Sequence, residues 1–274
     1  MKWTAKWAPW VFILVLMISC EEVIELDLGN AEPRIVIEGL VTTHRGPYSV
    51  KIRQSIDYQD TNIFPPVSGA KVTITDEEGY SEILKEVADG IYETAELKGE
   101  DGKTYLLEVV YEGEVYSASS TIPETMIPIS SINYKFLKES LFNEEGFYMA
   151  AFFYDPVNEV NYYRLKVFVN GEPYFFAFDG KRIKDDNFWL INDKFFNGQL
   201  MDYGFPHKLQ LGDKVDIELH QVDKGTYEYY RTLVEVMGIG EVAPSNPITN
   251  WDNGALGYFG AVSITDASID IEEK

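Results

Sequence analysis

Short runs of alternating hydrophobic and polar residues fill the first half of the chain. In residues 70–75, Val72 and Ile74 fall on one side and polar side chains on the other, which is typical of a half-buried β-strand. Glu112-Gly113 separates two such runs and predicts a hairpin. Because turns recur roughly every 8 to 12 residues, residues 32–122 are predicted to form an immunoglobulin-like or transthyretin-like β-sandwich. The other predicted strands cover residues 34–41, 48–52, 82–85, 90–94, 103–111 and 114–119.

The second half of the chain is also rich in strand patterns, but it is more aromatic and contains one helical pattern. Tyr227, Tyr230, Val234 and Met237 recur at helical spacing, and a glycine follows them. This spacing predicts one amphipathic helix over about residues 224–237. The predicted strands of this half cover residues 147–154, 162–169, 214–221 and 257–266.

A proline-containing segment separates the two halves. Pro123 and Pro128 lie in a stretch without alternation, and proline breaks the hydrogen-bond ladder of a sheet. Residues 123–130 are therefore predicted to be a short linker, and residues 131–274 an aromatic-rich β domain. The predicted fold is mainly β, with two β-sandwich-like domains in tandem, the second of which carries the helix.

The N-terminus has the pattern of a secretory signal. Two lysines precede an unbroken apolar run over residues 10–18, which is too short to span a hydrocarbon core of about 30 Å as a stable helix. Cys20 follows a small residue at the position where a bacterial lipoprotein signal places its lipid-accepting cysteine. Residues 1–19 are predicted to be the signal peptide, with Cys20 as the acylated mature N-terminus; an uncleaved membrane anchor is the alternative.

Composition excludes several classes of protein. The 274 residues include 23 Lys and Arg against 45 Asp and Glu, for a net charge of −22, so nucleic-acid binding and electrostatic attachment to anionic lipid are not expected. The hydrophobic content of 45% excludes global disorder. A single cysteine excludes an intrachain disulfide and a cysteine-type zinc site. Residues 20–31 are acidic and are predicted to be a solvated tether.

Several segments resemble a known family of bacterial lipoproteins. The segments are residues 20–28, 32–39, 64–72, 211–213, 227–230 and 253–261. In these segments the chain resembles the Bacteroidota lipoproteins grouped as domain of unknown function 4249. The resemblance implies a lipoprotein that is often encoded beside a TonB-dependent outer-membrane receptor, with an accessory role in nutrient uptake, and it supplies no catalytic residues. Glu21 and Glu22 resemble the signal that exports such lipoproteins to the outer face of the outer membrane.

Motifs for catalysis, metal binding and cofactors are missing from the sequence. There is no GxSxG elbow, HExxH pair, Walker loop, GxGxxG fingerprint or calcium loop. His44, His207 and His220 are scattered, and Asp185-Asp186 is notable only for adjacency. We therefore predict no catalytic residue, no metal and no cofactor.

The strongest candidate for a contact surface is an aromatic window. Ten of the 32 residues in the segment 174–205 are aromatic, whereas aromatic residues make up 14% of the whole chain. Aromatic faces beside Asn and Asp suit glycan or peptide binding, but the favoured interpretation is that these rings fill the core of the second domain or cover a sheet edge. The candidate contact residues are Phe175, Phe176, Phe188, Trp189, Phe195, Phe196 and Tyr203.

These observations predict a non-enzymatic lipoprotein, anchored in the outer membrane and facing outward. It would bind a small-molecule, glycan or peptide ligand, or assist a TonB-dependent transporter. One alternative is a surface hydrolase with two carboxyl groups about 5 to 10 Å apart in an aromatic cleft. A purely structural envelope protein is the other.

Overall fold

The computed structural model describes residues 32–56, 63–141, 143–157, 159–174, 177–178, 181–182, 188–205, 208–238 and 246–273. The predicted signal peptide, Cys20, Glu21, Glu22, Phe175 and Phe176 lie outside the described residues. The strands are β1 (Ile35–Thr42), β2 (Ser49–Gln54), β3 (Lys71–Asp76), β4 (Ser81–Ile83), β5 (Lys85–Ala88), β6 (Ile91–Glu93), β7 (Thr104–Tyr111), β8 (Glu114–Thr121), β9 (Ile129–Leu137), β10 (Gly146–Tyr154), β11 (Tyr162–Val169), β12 (Glu172–Pro173), β13 (Ala177–Phe178), β14 (Lys181–Arg182), β15 (Phe188–Asn192), β16 (Leu200–Gly204), β17 (Lys214–Val222) and β18 (Leu256–Asp270). A short 3-10 helix covers Asp193–Phe195, and the α-helix α1 covers Lys224–Gly238.

A nine-stranded sheet runs through the whole of the compact unit Pro33–Lys274. Its order is β12-β11-β17-β18-β1-β2-β6-β5, and β15 also pairs with β11. Within this order β1 and β18 are parallel, whereas β18 and β17 are antiparallel. Three smaller sheets have the orders β4-β3-β7-β8, β16-β10-β9 and β13-β14. The mainly β fold with one helix is therefore confirmed.

Two hydrophobic cores lie on the same face of the large sheet. Ile37, Ile74 and Leu107 belong to the first core, which includes strands of the four-stranded sheet, whereas Phe153 and Leu165 belong to the second, which includes strands of the three-stranded sheet. Residues 123–128 of the predicted linker lie between β8 and β9, where the chain passes from one small sheet to the other, and its last two residues begin β9.

The last strand joins the two halves in a way that the sequence did not indicate. β18 is 15 residues long, about 50 Å at 3.4 Å per residue, and it reaches past both cores. Its residues Phe259 and Ala261 belong to the first core, and Ala267 and Ile269 pack against the second. The two sandwiches thus share one sheet, because the second half of the chain returns a strand beside β1.

The helix α1 lies on the opposite face of the large sheet. Tyr227 packs with Val222, Val262 and Ile264 in a third hydrophobic cluster. The carboxylate of Asp223 caps the helix by accepting a hydrogen bond from the backbone N–H of Thr226 at 2.6 Å. Among the described residues, no helix is long and apolar enough to span a membrane.

The predicted helix is confirmed, but its buried face is rotated from the predicted stripe. Val234 is 41% exposed, whereas Leu233 is partly buried and lines the space between the helix and the sheet. Thr226 and Tyr229 are buried. The difference arises because the helix packs with Thr226 close to Gly260, where the sheet has no side chain.

Candidate functional site

A concave site lies between α1 and the outer face of β1, β2 and β18. It has a volume of about 240 Å³. Its principal lining residues are Glu38, Lys51, Tyr229, Tyr230, Leu233 and Tyr258. We call this site the tyrosine cleft. Its lining combines three segments of the chain that are far apart in sequence.

Glycine at the floor makes room for the cleft. A Cβ atom on Gly260 would lie 3.0 Å from Leu40 Cδ1 and 3.4 Å from Thr226 Oγ1, which is closer than ordinary packing. A Cβ atom on Gly225 would lie 2.6 Å from the hydroxyl of Tyr258. Residues with side chains at these positions would push the helix away from the sheet or fill the space between them.

Three tyrosines form the apolar wall. The rings of Tyr229 and Tyr258 are stacked, with centroids 4.9 Å apart, and Tyr230 meets Tyr229 edge-on at 5.3 Å. Burial raises the pKa of Tyr258, and the nearby charge of Asp223 raises it further, so this phenol stays neutral. Tyr229 and Tyr258 are buried against each other, and Tyr230 is the most exposed of the three rings that line the cleft.

Charged side chains line the side opposite the helix. Glu38 and Lys51 are directly paired across β1 and β2 in the sheet register. Arg53 lies 3.5 Å from Glu38, and the Ser49 hydroxyl donates a hydrogen bond to the carboxylate of Glu93 at 3.1 Å. The cleft thus offers an acidic acceptor and a basic donor across from an aromatic wall.

A buried arginine supports the wall from behind. The guanidinium carbon of Arg164 lies 4.3 Å from the centre of the Tyr230 ring and 5.7 Å from that of Phe188. Phe188 also meets Tyr230 edge-on at 5.0 Å. Arg164 is 4% exposed, so its cation–π contacts are formed away from water, where they are strongest.

His220 links this arginine to a carboxylate. Arg164 Nη2 lies 3.0 Å from His220 Nδ1, and His220 Nε2 lies 2.8 Å from Glu218 Oε2. Burial, and secondly the charge of Arg164, lower the pKa of His220 to about 3, so the ring is neutral. Because arginine only donates, Nδ1 accepts its hydrogen bond and Nε2 carries the proton donated to Glu218. The donated bond from His220 in turn lowers the pKa of Glu218.

The predicted aromatic contact residues divide among three environments. Trp189, Phe196 and Tyr203 pack against the second core, as the core-filling interpretation predicts. Phe188 faces α1 behind the tyrosine cleft, and Phe195 is 83% exposed. The described members of the window therefore do not form one continuous surface.

Neither Asp193, an acidic residue of the aromatic window, nor His44 or His220 lines the cleft. Asp193 is 4% exposed and accepts a hydrogen bond from the backbone N–H of Asn161 at 2.9 Å, while Asp185, Asp186 and His207 lie outside the described residues. Among the described residues that line the cleft, Glu38 is the only carboxylate. In the described part of the chain, no three His, Cys, Asp or Glu side chains are placed to hold a metal ion.

Sequence reasoning did not single out Tyr229, Tyr258, Glu38 or Lys51. One available signal was the pair Tyr229-Tyr230, because two adjacent aromatic residues on a helix cover a wider face than a single stripe. The other was the alternation of Tyr258 and Gly260, which share a face of β18.

A comparison with curated proteins finds no match for this chain. A comparison with protein families matches residues 21–268 to a family described as domain of unknown function (DUF4249). The match covers nearly the whole sequence. It includes α1 and strands β1 to β17 in full, and β18 as far as residue 268. The chain belongs to the DUF4249 family.

Proposed function

We propose that this protein is a non-enzymatic outer-membrane lipoprotein that binds a small polar ligand in the tyrosine cleft. Cys20 carries the acyl anchor, and Glu21 and Glu22 direct the protein to the outer face of the membrane. It acts beside a TonB-dependent transporter in nutrient uptake. The signal-like N-terminus supports the acyl anchor, and the family resemblance supports the link to a transporter. The tyrosine cleft supports the binding of a ligand.

The observation that carries the binding function is the pairing of an aromatic wall with an ionic rim. Stacked Tyr229 and Tyr258 present apolar surface, while Glu38 and Lys51 supply an acceptor and a donor on the opposite side. Ligand sites combine apolar walls with a few placed polar groups in this way. A volume of about 240 Å³ lies just below the usual range of about 300 to 1,000 Å³, which suits a ligand with a single ring.

The chemistry of the lining favours binding over catalysis. General acid–base catalysis is most efficient with a group whose pKa lies near the working pH, and burial moves the pKa of Tyr258 away from that range. The buried His220 is neutral and holds Arg164 and Glu218. The Ser49 hydroxyl donates to the carboxylate of Glu93, and no histidine is among the described residues that line the cleft.

Thermal unfolding in the presence of monosaccharides and free amino acids tests the cleft. A ligand that binds the folded state raises the melting temperature, and we expect at least one of these compounds to do so. Glu38→Gln changes a half-buried rim group and Lys51→Gln changes an exposed one; both should leave the unliganded melting temperature nearly unchanged and reduce the shift.

Lys71→Gln is the matched control, because Lys71 is also an exposed strand lysine but lies on β3, outside the cleft. It should keep the full shift. If no compound in the panel stabilises the protein, or if both rim variants keep the shift, the cleft is not the ligand site.

A further inference from the structure

A second concave surface lies on the outer face of the three-stranded sheet. The side chains of Met149, Ala151 and Phe153 on β10 are buried in the second core. By alternation, Tyr148, Ala150 and Phe152 point to the other side of the sheet, where they line a depression of about 310 Å³. We call this depression the sheet trough. It is separate from the tyrosine cleft and shares no lining residue with it.

The sheet register gives the trough its shape. Ala150 pairs with Asn133 on one side and Gly204 on the other, so the middle row across the three strands contains an asparagine, an alanine and a glycine, and no ring. Tyr148 and Phe152 stand two positions before and after that row, about 7 Å away on each side. The trough therefore runs across the strands, between two aromatic walls.

The trough is open along its length. β9 and β16 are the edge strands of this sheet, so the middle row ends at an edge on both sides. A Cβ atom added to Gly204 would meet no atom within 4 Å, which leaves the floor open above that glycine. An extended chain, rather than a compact molecule, fits a channel of this form.

Polar side chains flank the aromatic walls. Lys135 is paired with Tyr148 on β9, and Asp202 is paired with Phe152 on β16. Asn133 lies in the middle row and is exposed, as are Lys135 and Asp202. The Tyr148 hydroxyl donates a hydrogen bond to the backbone carbonyl of Glu144 at 3.1 Å, which fixes the orientation of its ring. The trough thus carries one positive and one negative group, and neither sign dominates.

From this arrangement we propose that the sheet trough binds an extended, uncharged oligosaccharide. Sugar rings stack their apolar faces on aromatic side chains, and their hydroxyl groups bond to amide and carboxylate side chains such as Asn133 and Asp202. A peptide fits less well because peptides satisfy their backbone groups by joining a sheet edge. Here the channel crosses β10, whose backbone groups are already paired with β9 and β16. The proposal depends neither on Cys20 nor on the tyrosine cleft.

Calorimetric titration of the protein with cellohexaose, xylohexaose and maltohexaose tests this site. We expect at least one of them to bind with a dissociation constant below about 1 mM. Gly204→Leu places a side chain in the open space of the floor and should weaken that binding at least about tenfold. Gly204→Ala, the matched control, leaves most of the trough open and should change it less than about twofold.

Two further measurements show whether the hexasaccharide occupies the trough of the folded protein. Lys51→Gln in the tyrosine cleft should leave hexasaccharide binding unchanged, and thermal unfolding should show that Gly204→Leu remains folded. Binding that survives in folded Gly204→Leu would overturn the proposal. So would the absence of binding to all three hexasaccharides. Binding of a soluble peptide of serine and threonine, when no hexasaccharide binds, would also overturn it.

Discussion

The guanidinium carbon of Arg164 lies 4.3 Å from the centre of the Tyr230 ring, and the same ring lines the tyrosine cleft. One face of the site is therefore supported by a buried cation. The charge of that cation is balanced through neutral His220 by the carboxylate of Glu218. This chain of contacts connects the helix that bears Tyr230 to β11 and β17.

Replacement of this arginine should destabilise the fold. Arg164→Met keeps apolar volume, but it removes the cation–π contact and leaves His220 Nδ1 buried without its donor. We expect a loss of about 2 to 4 kcal/mol in the free energy of unfolding, measured by urea denaturation. Arg231→Gln is the control: Arg231 pairs with Glu228 and Glu235 on the exposed side of α1, and its loss should cost less than about 1 kcal/mol. Equal losses in the two variants would show that the buried arginine stabilises the fold no more than an exposed one.

The same cluster predicts a pH dependence. The pKa of His220 is about 3 in the folded protein, against an ordinary value of 6.5, so the unfolded chain binds a proton that the folded chain does not. The stability that this difference contributes is complete above about pH 6.5 and is lost as the pH falls towards about 3. Arg164, Glu218 and Lys166 are the charged groups that act on the ring.

Urea unfolding between about pH 7 and pH 4 measures this effect, and His220→Gln should reduce the decline by about 1.4 kcal/mol per pH unit in the lower part of that range. The comparison with the variant cancels the contribution of the many carboxylates. Identical pH slopes for the two proteins would show that His220 is not held neutral by the fold.

The cap of α1 also connects the helix to the first sandwich. Asp223 caps the helix through one carboxylate oxygen, and its other oxygen accepts a hydrogen bond from the Ser120 hydroxyl at 2.6 Å. Asp223→Ala should reduce stability by about 2 kcal/mol and Ser120→Ala by about 1 kcal/mol. In a double-mutant cycle the combined loss should be smaller than the sum. Strict additivity would mean that the two residues act independently.

A tryptophan anchors the segment before β18 to the first strand. Trp251 is 6% exposed, and its indole N–H donates to the backbone carbonyl of Ile37 at 2.9 Å. Trp251→Phe removes this donor and reduces packing, so we expect a loss of about 2 kcal/mol in unfolding free energy. A variant as stable as the wild type would show that the contact adds nothing.

Local patterns predicted the local elements well. The turn Glu112-Gly113 joins β7 and β8 as expected, with φ angles of 52° and 88° that suit a tight hairpin. The helix begins at Lys224 as predicted and ends at Gly238. Both features depend on residues close together in sequence. Over such short distances the hydrophobic periodicity and the turn-forming residues determine the local structure.

Relationships between distant segments were not predictable in the same way. Alternation shows that β18 is a strand, but it does not show that Val36 pairs with Leu256, 220 positions away. The tyrosine cleft depends on that pairing because it places Tyr258 beside Glu38. Arg164 was also hidden, since a charged residue in a strand ordinarily indicates a solvent-facing position.

The measurement that tests the proposed function most directly is affinity purification of the tagged protein from native outer membranes, with mass spectrometry of its partners. Cys20→Ala is the control, because it removes the proposed site of acylation. We predict that a TonB-dependent transporter is recovered with the wild-type protein and not with the variant. Repeated recovery of lipidated protein without any transporter would contradict the accessory role.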